Sequence, residues 1–448
     1  MASLSIKDFS CIKSAEFTVA PINVIIGAQG SGKSVTIKLL YFFTYLMVDH
    51  IKYAENNLSL EDYKKTVASR FRDLFPPSAW GNKPFCIKYK SSDFSVQITR
   101  REIVKSQNSQ NVLDSIEICF SDWFDSFYEE EKEFLAKLSS KPNVLLAPNG
   151  NLIANFERME QGRQEIDKLL SQRLKNSFIR DQIFIPSSRT FFTSVGDFLS
   201  ANPHQIDVDF LTSNFARLFT SLKKRKVQDP LKAGFLTLEY YLKRGEFMTK
   251  LFGGELKFEE EKEFVDMQDG RLVPFYILSS GHQELLPIWV VIDFLNEISE
   301  YMKSYLHLNK DDEKPSQLLH IEEPEAHLFP KAQSLVIELL VSSMATHNSN
   351  LDLIITTHSP YIMSKLDIFL KAGEIAKDES KREAVREIVP EECWLTRDKI
   401  SAYSIEDGVL KSIIDEESGL IDSSYLDRIS EDLSADFSDL LAIQFEME

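Results

Sequence analysis

Cysteine is scarce in this chain. Its 448 residues include four, Cys11, Cys86, Cys119 and Cys393, and none forms a C-x-x-C pair. That excludes a disulfide-built scaffold and points to a reduced, intracellular (cytoplasmic) setting. The eight histidines are scattered and show no zinc spacing. No apolar stretch reaches the ~20 residues of a bilayer span; the most apolar, residues 39–48, reads as a buried helix. The first residues lack a signal-peptide pattern, and internal repeats and long low-complexity linkers are absent. Positive charge is also short. A net charge of −18 makes the chain as a whole repel nucleic acid, so any DNA contact needs a local basic patch. Acid is concentrated at the end, with eleven Asp and Glu against Lys411 and Arg428 over residues 411–448. That segment reads as a solvated helical surface or a docking tail.

What is present starts with residues 27–34, Gly-Ala-Gln-Gly-Ser-Gly-Lys-Ser, a full match to G-x-x-x-x-G-K-[ST]. Ile22, Val24, Ile25 and Ile26 precede it as a short buried strand. Val35, Ile37, Leu39, Leu40 and Phe43 follow at helical spacing. Strand, glycine loop and helix bring backbone N–H groups and a helix N-terminus together on phosphate. Gly27, Gly30 and Gly32 permit the tight turn around Ala28, Gln29 and Ser31. Lys33 is placed to reach the β- and γ-phosphates of a nucleotide, and the Ser34 hydroxyl to hold Mg²⁺.

Elsewhere the pattern predicts strands at 4–9 and 15–19, a helix over 57–75 stopped by Pro76 and Pro77, and a hairpin at 85–89 and 94–99 with a third strand at 112–120. Helices follow at 123–138 and 152–174, a short strand at 183–185, a helical middle over 207–250 and strands at 255–264. That middle holds Lys223, Lys224, Arg225 and Lys226, with Lys232, Lys243 and Arg244 nearby. Two readings stay open: a solvated helix end, or a contact to a phosphate backbone. No aromatics are interleaved for base stacking.

Three further motifs complete the pattern. Leu278-Ser279-Ser280-Gly281-His282 opens an apolar helix over 285–295, a second anion-ready N-terminus. The strand at 318–321 ends in Glu322-Glu323-Pro324-Glu325, where a nucleotide-site metal and an attacking water are held in such folds. The strand at 353–357 ends at His358-Ser359-Pro360, which puts His358 within reach of a γ-phosphate.

The order of glycine loop, Leu-Ser-x-Gly signature, Glu-Glu-Pro-Glu-Ala-His-Leu-Phe-Pro and Thr-Thr-His-Ser-Pro resembles the ABC/SMC-type ATPases. Within them it is most similar to the AAA-like branch that includes the overcoming-lysogenization-defect proteins. The resemblance covers about residues 1–55 and 272–405. It implies an α/β fold, an ABC/SMC-like P-loop ATPase head with a mixed β-sheet core and a large helical and β insertion. Its parts are the N-terminal core (1–55), an insertion (56–271) with a β-hairpin lobe and a helical region, the C-terminal core (272–405) and an acidic helical segment (406–448). ATP and Mg²⁺ are the implied cofactors. Gly27, Ala28, Gln29, Gly30, Ser31, Gly32, Lys33, Ser34 and Val35 form the phosphate loop. Ser34 and Glu322 hold the metal, with glutamate where aspartate is usual. Glu323 is the general base, Lys33 neutralises charge and His358 is the switch histidine. Ser279 and Gly281, in a signature carrying Ser280 where glycine is common, cap the nucleotide of a second subunit. Gln182 and the Ser187-Ser188-Arg189 turn are the candidates for the Q-loop.

The resemblance also bears on partners. The 90 residues after His358 contain no Asp-x-Asp of a Toprim nuclease and read as a strand hairpin, 393–397 with 402–410, then acidic helices. The expectation is an ATPase subunit, head-to-tail dimeric or larger, that regulates a separate HNH or Toprim-type nuclease in anti-phage defence. The Septu-type ATPases, partnered by an HNH nuclease, are the nearest resemblance, with the PARIS type, partnered by a Toprim protein, a near competitor. DNA or a phage-encoded trigger remains a possible ligand, and no membrane is expected. The rivals are a repair-type ATPase clamping DNA, a transporter subunit and a nucleotide-gated scaffold.

Overall fold

In the computed structural model, residues 2–100, 116–140, 150–193, 209–228, 236–259, 263–305, 316–346, 350–422, 434–441 and 443–444 are described. The chain opens with β1 (Ser3–Phe9), β2 (Ile12–Thr18) and β3 (Ile22–Gly27), then α1 (Lys33–Glu55) and α2 (Leu60–Leu74). Next come β4 (Phe85–Ser91), β5 (Phe94–Arg100), β6 (Ile116–Phe120), α3 (Asp122–Ser140), α4 (Gly150–Leu174) and β7 (Ile179–Ile185). They lead to α5 (Phe210–Gln228), α6 (Leu238–Phe252), β8 (Gly254–Phe258), β9 (Glu263–Met267) and β10 (Leu272–Pro274). The last stretch holds α7 (Ser280–Tyr305), β11 (Ser316–Glu322), α8 (Pro330–Thr346), β12 (Leu351–Thr357), α9 (Pro360–Ile375), α10 (Arg382–Arg386), β13 (Ile400–Glu406) and β14 (Val409–Ser412).

Eleven strands form one sheet in the order β6-β5-β4-β1-β2-β14-β13-β3-β12-β11-β7, and β8–β10 form a second, three-stranded sheet. The large sheet has two characters. From β6 to β2 it is antiparallel. From β13 to β7 it is parallel. Parallel strands need cover on both faces, and all six residues of β3 are buried. Its neighbours in sequence split between two cores. Ile22, Val24 and Ile26 pack with α5–α9, and Ile25 packs with α1–α4. Buried Asn23 ties the strand to both its neighbours, donating to the Leu353 carbonyl at 3.0 Å and accepting from the Ser401 hydroxyl at 2.8 Å.

Within 56–271, β4–β6 extend the large sheet beside β1, and β7 is its parallel edge. Other expectations change. The C-terminal hairpin is β13 and β14, not 393–397 with 402–410. Cys393 and Arg397 lie in single 3₁₀ turns. Asp407 and Gly408, with φ of 50° and 79°, supply the paired left-handed positions that a two-residue hairpin demands. The strand at 112–120 is described from Ile116 only; 112–115, Lys232 and, in the acidic tail, 423–433, 442 and 445–448 lie outside the described residues.

Most of the described basic cluster is paired within the chain, and Lys224 is the member left exposed. Lys226 is buried, with its ammonium 2.8 Å from Asp293 and also bonded to Glu297 of α7. Arg244 makes a two-pronged contact to Asp293 at 2.7 and 2.9 Å. Lys223 meets Glu263 at 3.0 Å, Lys243 meets Glu392 at 2.7 Å, and Arg225 lies over the Phe294 ring. Burial works against the Asp293 charge, but Lys226 and Arg244 outweigh it and hold its pKa below the ordinary value.

Two tests follow from this packing. Lys226→Ala leaves Asp293 and Glu297 short of a cation, so urea denaturation is expected to show a loss of about 3 kcal/mol. Unchanged stability with weakened duplex binding would instead make Lys226 a nucleic-acid contact. At the start of β12, burial raises the Asp352 pKa to about 7, with Lys399 opposing. The folded state therefore keeps a proton that the unfolded state has lost, and stability falls as pH rises from the ordinary aspartate value, 3.8, towards 7. Asp352→Asn should be more stable than the parent at pH 8, by on the order of 1–2 kcal/mol, and lose that advantage near pH 4.

Candidate functional site

The site lies at the carboxyl ends of the parallel strands β3, β11 and β12. β3 ends at Gly27, and the loop crosses to α1, which begins at Lys33. Gly30 and Gly32 take φ of 75° and 115°, a backbone that side chains resist. A Cβ on Gly27 would sit 2.6 Å from the Ser31 hydroxyl. Ala28, Gln29 and Gly30 are exposed at the loop tip. Val35, half-buried, packs the first turn of α1 against the core. Lys33 folds back over the loop and donates to the Gly27 and Ala28 carbonyls at 2.9 and 3.0 Å. Burial lowers its pKa, while Glu323, Glu325 and Glu322 oppose that shift.

Those carboxylates come from the end of β11. Glu322 is buried, and burial raises its pKa. The Ser34 hydroxyl bonds to its carboxylate. The Ser187 amide donates to Oε2 at 3.4 Å, and Oε1 has no protein partner. Glu323 leaves the strand with φ of 44°, an uncommon conformation for glutamate and one that must be held by its surroundings. Its amide donates to the Thr356 carbonyl at 2.9 Å. Its carboxylate lies 3.3 Å from His358 Nε2, both side chains being about one-third exposed. Glu325 turns inward: the Thr357 hydroxyl and the His358 amide donate to its Oε1 at 2.7 and 2.6 Å. Thus Lys33, Ser34, Glu322, Glu323 and His358 come together.

Ser279 and Gly281 form a different surface. Ser279 is exposed at the start of α7, its hydroxyl accepting from the His282 amide at 3.4 Å. Gly281 is buried, and a Cβ there would lie 2.7 Å from the His327 carbonyl. The signature turn therefore presses on the loop after β11. Gln283 supports it from within, donating to the Leu278 and Tyr276 carbonyls at 3.0 and 3.1 Å. Tyr276, Ile277 and Phe329 flank this surface and are largely exposed.

Of the Q-loop candidates, Gln182 is spent on packing: it donates to the Tyr41 carbonyl at 3.0 Å and accepts from Thr44, both deep in α1. The Ser187-Ser188-Arg189 turn lies beside Glu322. The large surprise is Arg189, completely buried and bonded to the Glu322 and Glu323 carbonyls. Glu284, its partner on α7 at 3.2 Å, carried no motif signal. A charged residue immediately before the apolar run that begins at Leu285 was the only hint.

A strand–loop–helix anion cradle beside a carboxylate-ended parallel strand defines an α/β P-loop ATPase-like fold. A family profile described as "AAA domain, putative AbiEii toxin, Type IV TA system" matches residues 22–364, and the chain belongs to this AAA family. Among solved structures, the SMC head domain from Thermotoga maritima aligns at 11% identity over 92% of this chain and 97% of that chain, with a TM-score of 0.35. An SMC head from Pyrococcus furiosus, bound to the C-terminal domain of ScpA, aligns at 13% identity over 92% and 96%, TM-score 0.35. The recombination mediator RecF aligns at 11% identity over 92% and 97%, TM-score 0.28. No curated protein matches the chain. Among the described residues, no helix is long and apolar enough to cross a membrane.

Proposed function

We propose that the chain binds and hydrolyses MgATP, that a second copy completes each site, and that this cycle regulates a separate nuclease in anti-phage defence. The observation that carries the enzymatic part is the convergence of Lys33 and Ser34 with Glu322, Glu323 and His358 at the strand ends. The residues fit the implied cofactor. Glu322 offers a buried oxygen with no protein partner, next to the Ser34 hydroxyl. Among the described residues, no three His, Cys, Asp or Glu side chains could hold a metal alone, so Mg²⁺ would share its shell with phosphate oxygens. Bound there, it would neutralise phosphate charge and orient the terminal phosphoryl group.

The chain's own groups supply the rest. The loop amides and Lys33 cradle the phosphates. Glu323 accepts a proton-side hydrogen bond from water and aligns it for attack, and His358 is close enough to that carboxylate to sense the γ-phosphate. Ser279, exposed beside Tyr276, Ile277 and Phe329, faces outward and would serve a nucleotide held by a second copy. The defence role draws on the motif order and on the toxin–antitoxin setting in the family's description; the partner would be a nuclease of HNH or Toprim type. A DNA-clamping role draws less support from the basic cluster, because Lys223, Lys226, Lys243 and Arg244 meet acids of their own chain.

ATP turnover by the purified chain is the first test. Glu323→Gln should cut kcat about 100-fold or more while ATP affinity stays within about threefold and an ATP-bound dimer accumulates on sizing; parental turnover would remove Glu323 from its role. Ser279→Arg should block dimer closure and turnover yet keep nucleotide binding, and unchanged turnover would argue against a signature acting on a second copy. Co-expression with the neighbouring open reading frame tests the defence half. A co-purifying nuclease whose activity responds to ATP supports it; a lone dimer that grips duplex DNA only with ATP points to a clamp.

A further inference from the structure

Arg189 is completely buried, and its guanidinium joins three parts of the fold. Nε donates to the Glu284 carbonyl at 3.1 Å and lies 3.2 Å from the Glu284 carboxylate. Nη1 donates to the Pro186 carbonyl at 3.0 Å and also to the Glu322 carbonyl. Nη2 donates to the Glu323 carbonyl at 2.7 Å. Glu284 is clasped from the other side as well, its carboxylate accepting from the Arg189 amide at 3.3 Å and the Thr190 amide at 3.2 Å. A planar fork can hold several fixed acceptors at once, which a lysine cannot.

The acceptors are telling. Two are the carbonyls of the residues argued to hold metal and water, and Glu323 is the one with the left-handed backbone. Glu284 sits on α7 one turn beyond Ser279 and Gly281. The same helix start abuts the His327 carbonyl through Gly281. The signature surface and the carboxylate that aligns water are thus tied within one chain by a single charged side chain. Complete burial of that charge lowers its pKa, and Glu284 opposes the shift in part.

We infer that Arg189 is a positioning residue that couples the signature helix to Glu323, so that the state of one nucleotide site is passed through the chain to the surface that serves the other. This deepens, and rests on, the ATPase reading above. The coupling needs no new chemistry. A shift of α7 moves Glu284, Arg189 follows, and the backbone at Glu323 turns with it.

The test uses the full chain. Arg189→Lys keeps a cation opposite Glu284 but cannot reach all the acceptors, so kcat should fall about 30-fold or more with ATP affinity within about threefold and the urea midpoint little changed. Glu284→Gln, nearly isosteric, serves if the lysine variant does not fold and should lower kcat in the same selective way. Hydrogen exchange supplies the readout that a merely structural role would not move. In the Ser279→Arg background, where closure is blocked, ATP should still slow exchange over residues 282–290. Adding Arg189→Lys or Glu284→Gln should abolish that effect and leave the ATP-dependent protection of residues 27–34 intact. Parental kcat in both variants, or persistence of the α7 effect, overturns the inference. Absence of turnover and of protection at 27–34 in the parent chain would instead bring down the ATPase reading itself.

Discussion

Three glutamates crowd the end of one apolar strand. Glu322 and Glu325 are buried, Glu323 is partly so, and the cation that feels all three from the glycine loop is Lys33, itself buried. Burial raises the pKa of both Glu322 and Glu325 and lowers that of Lys33. The arrangement costs stability unless charge is added. Much of the surrounding structure manages that cost. Thr357 and the His358 amide satisfy one oxygen of Glu325, Ser34 and the Ser187 amide reach Glu322, and Arg189 braces the backbone. One oxygen on each of Glu322 and Glu325 has no protein partner. A site with unspent carboxylate oxygens next to an anion-binding loop suits a metal-bound phosphate chain.

The sheet sets where these groups meet. Loops after parallel strands all open on the same edge, so β3, β11 and β12 bring Gly27, Glu322 and Thr357 into line across three adjacent strands. The antiparallel half, from β2 to β6, adds no group to the site but buries one face of the core that seats α1. The register is held where a slip would do most harm. Asn23 spans β3 to β12 and β13 near their starts, and the Asp407-Gly408 turn docks on the β1–β2 hairpin, its carbonyl accepting from the Lys13 amide at 2.7 Å. A fixed register matters because a one-residue shift would turn Glu322 and Glu323 to the wrong faces.

The largest revision concerns charge. Lys223–Lys226 looked like a basic patch because sequence shows charges on one segment and not the acids that fold against them. Asp293 and Glu297 lie on α7, about seventy positions away, and they draw Lys226 and, from α6, Arg244 into a buried ion network. The same blindness hid what Arg189 does. The Ser187-Ser188-Arg189 turn drew notice as a Q-loop candidate, but nothing local signals that its guanidinium donates to four carbonyls, those of Pro186, Glu284, Glu322 and Glu323. Gln182 errs the other way: a glutamine in a strand near the site resembles a ligand but is consumed by α1.

By itself the sequence determined the phosphate loop, the paired glutamates at a strand end, the histidine after the next strand and the order of the main elements. These are local: a glycine turn needs particular residues at particular offsets, and a buried strand announces itself by an unbroken apolar run. Tertiary structure alone decided that β4–β7 belong to the main sheet, that the C-terminal hairpin turns at Asp407 and Gly408, that Lys226 and Arg244 are neutralised by α7, and that Arg189 links the signature helix to Glu323. Each of those depends on partners distant in sequence, and a charge or a hydrogen-bond donor does not reveal its partner until packing has chosen one.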